Sequence, residues 1–204
     1  MVLKKITETI QGIAVNSIPE GRKARLQLLI EYIQDKVTMG ELINLNFICT
    51  HNSRRSHLAQ IWAQTMACYF NIDQLFCFSG GTEATALYPS IKDTLERQGF
   101  EFEISSAGKN PHYHLLFSDD APAIVAFSKK YDAPFNPSSN FAAIITCSHA
   151  DENCPMIVGA EKRILMSYED PKKYDNSSQE IEGYAACSIQ IACEMYHVFS
   201  AINK

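Results

Sequence analysis

Cys49-Thr50-His51-Asn52-Ser53-Arg54-Arg55-Ser56 joins an apolar run, Leu42 to Ile48, to a helical pattern that begins at about Ser56. A cysteine, five residues and an arginine between a strand and a helix build a cradle for a tetraoxoanion. Backbone N–H groups of the loop and of the helix N-terminus point at the anion, and Arg55 clamps it with a bidentate fork. The same positive field favours the Cys49 thiolate, which is the nucleophilic form. Ser53 and Ser56 are placed to hydrogen-bond that sulfur. Thr50, His51 and Asn52 complete the substrate-binding loop, and Arg54 adds positive charge beside Arg55.

Two further groups bear on this chemistry. Cys147 and Cys154, the second followed by Pro155, stand seven apart after an apolar run, Phe141 to Thr146. A structural zinc site would need another close pair of Cys or His, which the chain lacks here. The remaining readings are a redox pair in a polar loop and plain packing. Cys49 and Cys147 each follow an apolar strand pattern, so a parallel sheet would put both on one edge. Asp170 precedes Pro171, which holds it extended and projects its carboxylate from a loop. Beside a thiolate and an arginine, Asp170 can act as general acid for a departing oxygen.

The chain has 204 residues, 46% of them hydrophobic and 20% charged, with a formal net charge of -5. That balance offers no general attraction to nucleic acid or to an anionic membrane. No run approaches the ~20 apolar residues of a membrane span. The early Glu8 is unlike a signal peptide, so a cytoplasmic location is expected. Seven cysteines in a reducing compartment are a question of reactive thiols rather than of disulfides. Cys68, Cys77, Cys187 and Cys193 fall in helical or strand patterns and read as packing residues. His112 and His114 would share one strand face, but further ligands are missing, so no metal site is expected.

These residues must be positioned by regular elements. Ser17-Ile18-Pro19-Glu20 has the capping-box form ahead of Leu26, Leu29, Ile30, Ile33 and Val37, with Gly40 as the stop. An earlier helix is expected from Ile6 to Val15. Strand 43–48, helix 56–69, strand 74–78 ending at Ser79-Gly80-Gly81, and helix 89–98 follow in alternation, which implies a parallel sheet. Strands at 100–105 and 123–127 flank a hairpin-like middle segment. A buried strand at 141–146, a short strand within 156–166 and a closing helix over 178–202 complete the chain. The stripe expected on that last helix is Ile181, Tyr184, Ile189, Cys193, Tyr196 and Phe199.

Taken together the motifs resemble the low-molecular-weight protein tyrosine phosphatase superfamily, specifically its thioredoxin-coupled arsenate reductase branch. Cys49, Arg55 and Ser56 match the family's Cys-X5-Arg-Ser loop, with Thr50, Asn52 and Ser53 as in many reductases. Asp170-Pro171 matches its Asp-Pro, Cys147, Cys154 and Pro155 match the reductases' redox pair, and Ser79 to Thr82 resembles the second-strand turn. The resemblance covers about residues 42–202. It implies a three-layer αβα fold with a central, mainly parallel four-stranded sheet. Residues 1–40 would be an added helical extension, and 41–204 the α/β domain with an insertion at about 107–130. The implied activity is reduction of arsenate to arsenite through a Cys49, Cys147, Cys154 relay, with no bound cofactor and thioredoxin as the external reductant. A phosphatase acting on phosphotyrosine or aryl phosphates through a Cys49 phosphocysteine is the alternative. Gln60 stands where some reductases carry a cation-holding glutamate. Three roles are open to the extension and the insertion: forming a homodimer, shaping the pocket rim, and docking the reductant.

Overall fold

The protein is described from a computed structural model covering residues 1–13, 18–148, 150 and 156–204. Cys154, Pro155 and the capping residue Ser17 lie outside these described residues. Alternation of strand and helix produces the expected parallel sheet flanked by helices. Its strands are β1 (Ile43–Cys49), β2 (Leu75–Gly81), β6 (Phe141–Ile145) and β7 (Ala160–Leu165), in the spatial order β2-β1-β6-β7. All three pairings are parallel. Every residue of β1 and β6 is buried, as expected of covered central strands, and the buried Asn44 and Asn46 of β1 donate to Asn140 O and Tyr131 O at 3.2 and 3.1 Å.

One face of the sheet carries the larger core. Ile43, Leu45 and Phe47 of β1 and Ala142 and Ile144 of β6 meet α2 (Glu20–Met39), α3 (Arg55–Tyr69) and a long C-terminal helix, α5 (Glu180–Ser200). Trp62 of α3 is fully buried there, stacks edge-on to Phe100 at 5.1 Å and donates its indole N–H to Ser188 of α5 at 2.9 Å. Trp62 thereby fixes the distance between the two helices that back the signature loop. The opposite face holds a smaller cluster in which Ile48, Cys49, Ala143, Ile145, Cys147, Ala150 and Ile157 pack together.

The N-terminal residues form two helices, as expected, with shifted bounds. The first, α1, spans Lys4–Gln11 rather than 6–15, and Ile6 and Ile10 are its buried positions. The second, α2, begins at Glu20 with Pro19 as its N-cap and ends at Gly40, whose φ of 67° is the left-handed stop expected of glycine. Arg22 of α2 forks onto Glu194 of α5 at 2.8 and 2.7 Å, in an ion pair largely shielded from solvent. That pair, with the apolar face of α2, docks the extension on the core.

The middle segment, expected to be hairpin-like, belongs to a three-stranded meander. After α4 (Pro89–Arg97), β3 (Glu101–Ser106), β4 (His112–Leu116) and β5 (Ile124–Ala126) form a separate three-stranded antiparallel sheet. The strand expected to carry His112 and His114 on one face is β4, and it pairs on both sides, with β3 and with β5. The N-terminus joins this sheet, with Leu3 N donating to Phe117 O at 3.0 Å and Val2 bridging Ser118. In α5 the expected stripe residues Tyr184, Cys193 and Phe199 are buried, Ile189 and Tyr196 are half-buried, and Ile181 is 57% exposed. Ser188, Ile191, Met195 and Val198 are buried as well, because α5 packs on both α3 and α2.

Candidate active site

Cys49 ends β1 at the carboxyl edge of the sheet, and the loop after it folds back over the sulfur. Asn52 N–H donates to Cys49 Sγ at 3.2 Å, and the Ser56 hydroxyl lies 3.1 Å from it. Asn52 makes this turn with φ 45°, in the left-handed region that asparagine tolerates better than other side chains except glycine. Its amide then locks the loop from inside. Asn52 Nδ2 donates to Ser56 Oγ at 2.9 Å, and Asn52 Oδ1 accepts the backbone N–H of Lys129 at 2.8 Å. Its carbonyl meets His57 Nε2 at 3.0 Å. Ser56 therefore fills the expected role beside the thiol, while Ser53 instead contributes its carbonyl to the Tyr88 N–H at 3.1 Å.

Close backbone approach explains the paired glycines at the end of β2. Gly81 is in register with Cys49, and a Cβ added there would lie 2.6 Å from Thr50 O and 2.7 Å from Asn52 N. At Gly80 the added carbon would overlap the Tyr131 backbone. Thr82 N and Glu83 N donate to Cys49 O and Thr50 O at 3.1 and 2.8 Å, so the turn after β2 supports the loop from below. Ser128 Oγ and Thr85 Oγ1 both donate to His51 O.

Arg55 and Asp170 come together although 115 residues separate them. Arg55 donates to Asp170 Oδ2 at 2.5 Å and to Tyr168 O at 3.1 Å. Asp170 has φ -78° and ψ 117°, the extended conformation expected ahead of proline, and its other oxygen caps Lys172 N at 3.1 Å. Arg54 takes other partners. Its guanidinium donates to Tyr184 Oη and Asp175 Oδ2, both at 2.6 Å, and lies 3.9 Å from the centroid of the Tyr88 ring. Tyr88 in turn stacks on Tyr184 at 5.6 Å. Arg54 thus braces the loop against α5, and Arg55 is the arginine held beside Asp170.

Cys147 follows β6, the strand beside β1, and is 1% exposed. Its sulfur lies 3.5 Å from Thr50 Oγ1 and accepts the Ala150 N–H at 3.4 Å. A second thiol is therefore in contact with the Cys49 loop, as the strand-end argument requires. His112 stacks on Phe127 at 3.9 Å, His114 points to solvent, and among the described residues no group of His, Cys, Asp or Glu could hold a metal ion. Gln60 is buried and donates to Cys77 O at 3.0 Å, while its Oε1 has no partner among the described residues. Burial pushes the Cys77 thiol up and the Cys187 thiol up to about 12, which suits packing residues.

Sequence reasoning missed three parts of the site. One is the Tyr88, Asp175 and Tyr184 brace. Another is His57, fully buried between Asn52 O and Ser79 Oγ, whose pKa burial lowers to about 3 with the Lys129 charge adding to the effect. The last is Lys129 itself. Of the three, only His57 carried a local signal, a polar residue on the first turn of a helix whose next three positions are apolar or buried.

No family model matches the chain. Over 125 residues it is 25% identical to an arsenate reductase of Staphylococcus epidermidis, a span of 61% of this chain and 76% of that protein. A low-molecular-weight phosphotyrosine phosphatase from Vibrio cholerae superposes with a TM-score of 0.52 at 13% identity, covering 78% of this chain and 94% of that one. An arsenate reductase in its oxidized state also gives 0.52, at 17% identity, over 79% of this chain and all of that one. The fold is that of the low-molecular-weight phosphatases, and the curated relatives that match in sequence are arsenate reductases.

Proposed function

We propose that this protein is an arsenate reductase using Cys49, Cys147 and Cys154 as a thiol relay. The observation that carries the reading is the buried Cys147 thiol against Thr50 of the Cys49 loop, since hydrolysis of a phosphocysteine needs no second thiol. Arsenate enters the cradle and takes donors from the loop N–H groups and from Arg55. Cys49 thiolate attacks arsenic and one arsenate oxygen leaves as water, with Asp170 supplying its proton. The Cys147 thiolate next attacks Cys49 Sγ. The S–As bond breaks and its electron pair stays on arsenic, which departs as arsenite, while Cys49 and Cys147 are left as a disulfide. Cys154 then attacks Cys147 Sγ, frees the Cys49 thiolate and carries the disulfide outward. Thioredoxin, with a dithiol of its own, reduces that outer disulfide by exchange. Residues 1–40 act as a helical extension on the α/β domain, and 107–130 as its insertion.

The test is a thiol count. The fully reduced protein is exposed to excess arsenate without reductant, and free thiols are titrated before and after. Loss of two thiols with release of one arsenite is expected. An unchanged count rejects the relay and leaves the phosphatase chemistry that Cys49, Arg55 and Asp170 would also support.

A further inference from the structure

Lys129 is 4% exposed, yet among the described residues no carboxylate pairs with it. Its ammonium donates to Phe127 O at 3.3 Å, its one hydrogen bond among the described residues, and lies 4.4 and 5.1 Å from the centroids of the Phe127 and Phe135 rings. Rings supply a weak negative face and no charge. A buried cation without an anion costs several kcal/mol by the usual reckoning, so a fold keeps one where something else requires it. The backbone of Lys129 is meanwhile built into the loop support. Its N–H holds Asn52 Oδ1, its carbonyl accepts Gly81 N–H at 2.9 Å, and Gly81 is the register partner of Cys49.

We propose that Lys129 is the built-in counter-cation of the oxyanion cradle, a positioning charge that strengthens the binding of a tetrahedral dianion beside Cys49. The inference rests on the anion-binding reading of the loop given above. The ammonium's field reaches the His57 ring, and His57 Nε2 meets Asn52 O of the cradle loop at 3.0 Å, so that ring links the charge to the loop. In a partly buried setting with an effective dielectric near 20, a unit charge about 10 Å from a dianion, attenuated by salt screening, changes anion affinity on the order of tenfold. The Lys129 charge acts on His57 of α3, which burial keeps neutral, and no carboxylate among the described residues pairs with the ammonium. Burial also lowers the Lys129 pKa to about 8, so the charge is present at neutral pH and lost as pH rises through that value. The groups lining the cradle itself, Cys49, Cys147, Arg55 and Asp170, are common to every variant compared below.

The experiment measures inorganic phosphate binding by calorimetry between pH 7 and 10, with thermal melting of each protein alongside. Wild type, Lys129→Met and Lys129→Arg are compared. Expected are a roughly tenfold weaker dissociation constant for Lys129→Met at pH 7, near-wild-type affinity for Lys129→Arg, and a melting point for Lys129→Met no lower than wild type. The ratio of wild-type to Lys129→Arg affinity should fall across pH 8 to 9, because only lysine loses its proton there. Equal affinity of Lys129→Met and wild type overturns the proposal, as does weakened binding in both variants accompanied by lower melting points. Coincident pH profiles of wild type and Lys129→Arg overturn it too. Failure of the wild type itself to bind phosphate refutes the cradle instead, a result distinct from all of these.

Discussion

Replacing Asn52 separates the geometry of the cradle from its charge. In Asn52→Ala the Lys129 N–H, buried and now without the Oδ1 acceptor, costs about 1–3 kcal/mol, and the Ser56 hydroxyl loses its donor. Holding alanine at the φ of 45° adds about 1–2 kcal/mol. The sum is about 3 kcal/mol, which for a domain of this size lowers the melting temperature by roughly 6–12 °C. Asn52→Gly removes the same hydrogen bonds without the backbone strain, so it should recover about 1 kcal/mol of that loss. Asn52→Asp keeps the acceptor for Lys129 N–H and should melt closest to wild type, but it sets a carboxylate against the thiolate and the incoming anion. The three variants are assayed by thermal melting and by the rate of Cys49 alkylation with iodoacetamide at pH 7. Stability should decrease from wild type through Asn52→Asp and Asn52→Gly to Asn52→Ala, with alkylation slowest in Asn52→Asp. Equal melting of Asn52→Ala and Asn52→Gly would refute the strain argument, and alkylation of Asn52→Asp at the wild-type rate would refute the electrostatic one.

Other consequences follow from single contacts. Arg22→Met leaves Glu194 buried without its partner and should cost about 3 kcal/mol in denaturant unfolding, most of it regained in the Arg22→Met, Glu194→Gln double variant. Gly80→Ala drives a methyl into the Tyr131 backbone and should yield little soluble protein or a sharply lowered melting point, with Gly21→Ala, where the space is open, as a harmless control. His57 is neutral in the fold, with a pKa of about 3 against the usual 6.5, so the unfolded chain binds the extra proton between these values. Its contribution is present above pH 6.5 and is lost as pH falls toward 3. Urea midpoints at pH 7, 6 and 5 should fall more steeply in wild type than in His57→Asn.

What could be read from the chain alone was what is contiguous in it. The loop from Cys49 to Ser56 is one stretch, and β1 and β6 are short, mostly apolar runs, so thiol, arginine and central strands were legible. Asp170 was legible through Pro171, which fixes its backbone whatever surrounds it. The brace on Arg54 was not, because Tyr88, Asp175 and Tyr184 are ordinary residues in three separate segments that only the packing of α4 and α5 brings together. Two adjacent arginines gave no hint that one clamps and the other braces. Nothing in the Lys129-Lys130 pair set its first member apart, and only the aromatic lid of Phe127 and Phe135 makes that lysine buried. Helix bounds failed where the tertiary partner decides them, as with α1, which starts at Lys4 because residues 1–3 already pair with the insertion sheet.

The central claim is that Cys147 makes the difference between reducing an oxyanion and hydrolysing its ester. A Cys147→Ser variant assayed in parallel for thioredoxin-coupled arsenate reduction and for p-nitrophenyl phosphate hydrolysis tests it directly. The account predicts that reduction is abolished while any hydrolysis by wild type is retained, since Cys49, Arg55 and Asp170 are untouched. Undiminished arsenate reduction by Cys147→Ser would contradict it.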